Sequence, residues 1–107
     1  MDKALGYLSL AAKGGRLVTG ADNCIDALKR RKAKLIILAS DASPNAVKRA
    51  EGMVFGRPVP LHRSAYSKLE LAQSCGKHGP VAIATVLDEG LAKAYANTAK
   101  TVEQQED

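Results

Sequence analysis

Few side chains in this sequence could carry out chemistry: two cysteines, Cys24 and Cys75, two histidines, His62 and His78, and an acidic pair, Asp22 and Asp26. The cysteines form no Cys-x-x-Cys pair, which leaves zinc-thiolate and dithiol redox chemistry without a framework. The run Cys75-Gly76-Lys77-His78 brings a thiol and an imidazole together in sequence, but His62 is the only other imidazole and its spacing matches no familiar ligand set. Both cysteines fall at apolar helix positions and read as small core residues. Asp22 and Asp26 are one helical turn apart, yet no second acidic pair completes a metal site. Gly14-Gly15 and Gly76-Lys77-His78-Gly79 lack the spacing of a phosphate-binding or dinucleotide loop. There is no Gly-x-Ser-x-Gly elbow and no His-Glu-x-x-His helix. The expectation is a protein with no catalytic residue, no metal, no cofactor and no small-molecule substrate.

Charge is more informative. Lysine and arginine number 16 against 11 acids, a net charge of +5. The acids gather near the C-terminus, so residues 1–87 hold fourteen bases and six acids. Such a surplus favours a polyanionic partner, RNA or DNA first and an anionic membrane a distant second. The four aromatics, Tyr7, Phe55, Tyr66 and Tyr95, make no strand-borne stacking platform. An RNA partner would therefore be held by helix N-termini, loop amides and basic contacts to phosphate, which read the shape of a folded RNA. Loops at residues 19–23, 40–45 and 76–80 are placed to supply these contacts.

Such loops need a frame, and 107 residues with 46% apolar content suit one domain. Residues 1–100 are expected to form it, followed by an acidic tail at 101–107 that has little to bury and frays. No apolar run approaches the roughly 20 residues of a membrane helix, and Met1-Asp2-Lys3 leads into amphipathic sequence without a signal-peptide core. A cytoplasmic protein without membrane contact is expected, and its core needs no second copy to close, so a monomer is expected too.

Residues 3–13 place Leu5, Leu8 and Ala12 on one helical face and stop at Gly14-Gly15. Residues 16–19 read as a brief strand broken by Gly20. Asp22 or a neighbouring polar residue then caps a second helix with Ala21, Cys24, Ile25 and Leu28 inward. Lys29-Arg30-Arg31-Lys32 crowd its last turn, where positive charge complements the helix dipole. Leu35-Ile36-Ile37-Leu38-Ala39 is a central strand covered on both faces. Ser43-Pro44 opens a helix with Val47, Ala50 and Val54 inward that ends at Gly56. Residues 57–62 hold two prolines and allow a short strand. Ser67-Lys68-Leu69-Glu70 has capping-box spacing, giving a helix over 68–75 that stops at Gly76. Residues 81–86 form the last strand, and Asp88 caps a final helix with Leu91, Tyr95 and Thr98 or Ala99 inward. Helices alternating with strands predict an α/β fold, a three-layer α/β/α sandwich with a small mixed four-stranded sheet. In it the first two of the three loops gather at one end of the sheet.

Six segments, in order and at matching spacing, resemble the kink-turn RNA-binding ribosomal protein superfamily. They are Gly20-Ala21-Asp22-Asn23, Lys32-Ala33-Lys34-Leu35-Ile36-Ile37-Leu38-Ala39, Asp41-Ala42-Ser43-Pro44, Val59-Pro60, Ser67-Lys68-x-x-Leu71 and Cys75-Gly76. The resemblance covers residues 3 to about 99. The opening 8–20 and the closing Val86-Leu87-Asp88-Glu89-Gly90-Leu91-Ala92 look most like the bacterial, ribosomal-protein-like branch. It implies a non-catalytic, ribosomal-protein-like domain that grips a kink-turn or similarly structured RNA, ribosomal RNA included, through loops and a helix N-terminus. Carried over residue by residue, Gly20 permits close backbone approach, with Ala21, Asp22, Asn23 and Asp26 on the helix facing the RNA. Ser43 and Val47 lie in a second contact loop, and Lys77, His78 and Gly79 in a third. Two positions depart from the family pattern. Asp26 stands where the family often has a lysine that meets phosphate, and Asp22 replaces an amide donor; Lys29, Arg30, Arg49 or Lys77 would compensate if they face the same way. The alternative is a protein-interaction module on the same fold, with kink-turn binding weakened or lost.

Overall fold

The computed structural model describes residues 2–99, and in it five helices alternate with four strands. In chain order these are α1 (Lys3–Lys13), β1 (Leu17–Thr19), α2 (Ala21–Lys29), β2 (Leu35–Leu38), α3 (Pro44–Val54), β3 (Leu61–Arg63), α4 (Lys68–Cys75), β4 (Ile83–Val86) and α5 (Glu89–Thr98). The acidic tail expected at 101–107 lies outside the described residues. No helix among the described residues is long and apolar enough to cross a membrane.

Local sequence explains most helix ends. Asp2, Ser43, Ser67 and Asp88 each accept a backbone N–H of the helix they precede, and Ser67 with Glu70 closes a reciprocal capping box. The exception is α2. Gly20 precedes it at φ 89° and ψ 149°, with no side-chain cap, and Asp22 sits inside the first turn instead of capping it. That backbone region is nearly closed to any residue but glycine.

Three helices finish in the same two-bond motif, a six-residue and a four-residue backbone bridge over a left-handed residue. In α1 that residue is Gly15, with Arg16 N–H to Ala11 O at 2.7 Å; in α4 it is Gly76, with Lys77 N–H to Ala72 O at 2.9 Å. In α2 it is Arg31, at φ 59°, with Lys32 N–H to Ala27 O at 2.9 Å. A side chain in this conformation costs roughly 1–2 kcal/mol relative to the right-handed region. The basic run 29–32 therefore does more than neutralise a dipole, because one of its members holds a glycine's place.

The sheet runs β1-β4-β2-β3, with β4 antiparallel to both neighbours and β2 parallel to β3. Every residue of β2 is buried, as expected for a strand covered on both faces. Leu35 and Ile37 pack with α1, α4 and α5 around Leu8, Leu71 and Tyr95. Ile36 and Leu38 pack with α2 and α3 around Cys24, Leu28 and Ala50. Two cores on opposite faces of one mixed sheet make the α/β/α sandwich.

Several boundaries and inward positions differ from expectation. On α1 the buried residue of the last turn is Ala11, with Ala12 half-buried. α3 stops at Val54, with Gly56 turning at φ 74° just beyond. Of its three expected inward residues only Ala50 is fully buried. β3 starts at Leu61, past both prolines, because its pairing with Ile36, Ile37 and Leu38 begins there. β4 covers 83–86 and not 81–86. At α5, Tyr95 and Ala99 are buried as expected, Leu91 is half-buried, Thr98 is exposed, and Ala92 is buried in addition.

Candidate nucleic-acid interface

Strand directions decide which loops meet. β1 and β2 both run antiparallel to β4, and β3 runs parallel to β2. The C-terminal ends of β1, β2 and β3 and the N-terminal end of β4 therefore share one end of the sheet. Loops 19–23 and 40–45 meet there as expected, and the loop after α4 joins them. Backbone bonds tie the group together: Gly20 N–H to Ile83 O at 3.0 Å, Ala39 N–H to Ala82 O at 2.9 Å, and Ser40 N–H to Tyr66 O at 2.8 Å. Asp41 Oδ1 accepts from Lys68 N–H at 2.8 Å, which fixes the second loop to the start of α4.

Between the loops lies a groove of about 420 Å³, lined by Thr19, Gly20 and Ala21, by Ser43, Asn45, Ala46 and Arg49, and by 80–83. Of the residues singled out from sequence, Gly20, Ala21 and Ser43 line it. Lys77, His78 and Gly79 are exposed in the segment immediately before Pro80. Asn23 donates from Nδ2 to Thr19 O at 2.9 Å, bracing the turn into α2. Val47 is half-buried against the α2–α3 core. Asp26 lies outside the groove on the exposed face of α2, where Arg30 Nε approaches it to 3.2 Å.

The charged lining residue is Arg49, and its Nη2 lies 3.7 Å from Asp22 Oδ1. Asp22 is otherwise open to solvent, so the pair is loose and screened. The arginine has a sequence signal in its spacing. Asn45 and Arg49 stand four apart on α3 and so share a helix face.

The other chemical candidates are spent on structure. Cys24 and Cys75 are buried, and burial raises both thiols, Cys75 to about 11 with only partial relief from Lys77. A thiol that high is almost wholly protonated at neutral pH and makes a poor nucleophile. His62 stacks edge-on against Tyr95 with ring centroids 5.3 Å apart, and its Nδ1 lies 3.1 Å from the phenol oxygen. Among the described residues no three His, Cys, Asp or Glu side chains gather as a metal site.

Residues 2–96 match the model of the ribosomal protein L7Ae/L30e/S12e/Gadd45 family. The chain is 33% identical over 91 residues to the RNA-binding protein YlxQ of Enterococcus faecium, covering 85% of each. It is 30% identical over 96 residues to the large ribosomal subunit protein eL30 of Methanocaldococcus jannaschii, covering 90% of this chain and 84% of that one. A solved structure of a Bacillus halodurans protein of unknown function superposes with a TM-score of 0.83 at 26% identity, over 92% of this chain and 97% of the other. The family match, the relatives and the superposition agree, and the chain belongs to the ribosomal protein L7Ae/L30e/S12e/Gadd45 family.

Proposed function

We propose that this protein is a non-catalytic, ribosomal-protein-like RNA-binding protein that recognises a kink-turn, or an RNA of similar shape, at the loop end of its sheet. The observation that carries the reading is the start of α2. It alone of the five described helices lacks a side-chain cap. Its first-turn N–H groups open beside the groove formed with the other two loops. Uncapped amides at a helix N-terminus attract phosphate, and Gly20 keeps side-chain bulk away from them. The names and family of its relatives support the coarser part of this reading, RNA binding. In this reading Gly20, Ala21, Asp22 and Asn23 face the RNA from α2, Ser43 from the second loop, and Lys77, His78 and Gly79 from the third. Arg49 joins them. The protein acts as a monomer in the cytoplasm, with ribosomal RNA among its possible partners.

The test is a salt-dependent titration against a short kink-turn RNA, with a plain duplex of equal length as control. Clear preference for the kink-turn is expected, and equal affinity for both would refute the reading.

Asp26 favours a second reading, a protein-interaction module with weakened RNA binding, because a carboxylate replaces a phosphate-binding lysine. In that case Asp26→Lys should gain affinity for the kink-turn by about tenfold or more, the worth of one charge-assisted contact. An unchanged affinity would count against it.

A further inference from the structure

The basic surplus of the chain does not collect at the loop end. At the opposite end of the sheet a second groove, about 850 Å³, runs between the turn after α2, the segment entering β3 and the first turns of α5. Its lining carries Arg31, Lys34, Arg57 and Lys93 against one acid, Glu89. Arg31, Lys34 and Lys93 form no ion pair with any described residue. Arg57 spends one N–H on Leu28 O at 3.2 Å, capping the last turn of α2, and a guanidinium has four more to offer.

Arg31 adds a second, independent observation. Equivalent helix ends use Gly15 and Gly76, whereas α2 keeps an arginine in the left-handed conformation where a glycine would be relaxed. Backbone strain retained at one residue points to a use for its side chain, and Arg31 is among the residues that line the groove.

We propose that this far-end groove binds the sugar–phosphate backbone of a second RNA segment, so that the protein bridges two segments, one at each end of its sheet. The contact is with backbone because no aromatic side chain among the described residues lines the groove, so it offers no aromatic stacking platform, and its polar lining is mostly cationic. Cations without an ion pair among the described residues, set beside apolar lining that includes Leu28 and Ala92, suit phosphates with riboses between them. Bridging rests on the loop-end reading above; backbone binding at the far end does not.

The experiment uses the whole chain and a plain RNA duplex. In the triple variant Arg31→Gly/Lys34→Ala/Lys93→Ala, the slope of log K against log salt should fall by about 0.7–0.9 for each phosphate that the protein no longer neutralises. Arg31→Gly alone should keep a Tm at or above the parent's, which separates weakened binding from impaired folding. A parental slope in the triple variant would overturn the proposal. In a second arm, protein held on an immobilised kink-turn RNA should capture labelled duplex, and the triple variant should not. Equal capture by both would overturn bridging. Absence of kink-turn preference would end the loop-end reading alone, because the slope is read on plain duplex.

Discussion

At the loop end, backbone hydrogen bonds tie several segments around a groove of about 420 Å³ whose one arginine lies against Asp22. At the far end a groove of about 850 Å³ carries four cations and one acid. The first end presents shape, with a glycine-only turn and uncapped amides; the second presents charge. Phosphate attraction is independent of sequence, whereas fixed amides select a particular bend in a backbone. Net charge in such a chain therefore announces the class of partner without marking where discrimination takes place.

The contrast can be broken most severely at Gly20. Gly20→Ala forces a side chain into a backbone region nearly reserved for glycine and should cost about 1–3 kcal/mol, read as a lower urea midpoint. Kink-turn preference should fall with it, while the salt slope on plain duplex stays. Ser67→Ala removes one half of the α4 capping box at the loop end, with an expected loss of about 1 kcal/mol by the same measurement. At the far end the sign reverses. Arg31→Gly relieves the left-handed turn, and the greater freedom of glycine in the unfolded chain offsets part of the gain, so stability should hold or rise by up to about 1 kcal/mol. A clear loss would mean that the arginine is a structural contact and not a retained ligand.

The smallest effect is expected at Asp88, which caps α5 beside the far-end groove. The Leu91 N–H, and then Arg16 at 2.6 Å, hold its carboxyl below the usual 3.8. A lowered folded value means that the contribution is fully present at neutral pH and disappears as pH falls through that value. The stability gap between parent and Asp88→Asn should therefore close below about pH 4. A gap that persisted at lower pH would place the aspartate's role in the cap alone.

The helices were the most legible part of the sequence because their ends are written locally. Asp2 with Gly15, Ser67 with Glu70 and Gly76, and Asp88 act within a few residues of themselves, and α1 and α4 fall where those signals place them. β3 was misplaced because an edge strand is defined by its partner. Pro58 and Pro60 look like part of it until the parallel pairing with Ile36 shows where the ladder begins. Two of the three site loops followed from strand–helix alternation. The third needed the β1-β4-β2-β3 order, which brings the start of β4 beside the ends of β1 and β2. Arg49 was legible as one of four bases able to compensate for Asp26, and only the packing of α3 beside α2 singled it out as the cation of the loop-end groove. The far-end groove joins residues up to 68 positions apart in the chain, from Leu28 to Ala96, and no local pattern could mark it. Arg31 gave no warning either, since in a run of four basic residues nothing distinguishes the one that turns left-handed.

The central claim is that RNA shape is read at the loop end. Backbone amide shift mapping during titration with a kink-turn RNA tests it most directly. The largest perturbations are expected at residues 19–23, 40–45 and 76–80, saturating at a lower RNA concentration than any at the far-end groove. Perturbations confined to 29–34, Arg57 and Lys93, with the three loops silent, would contradict it.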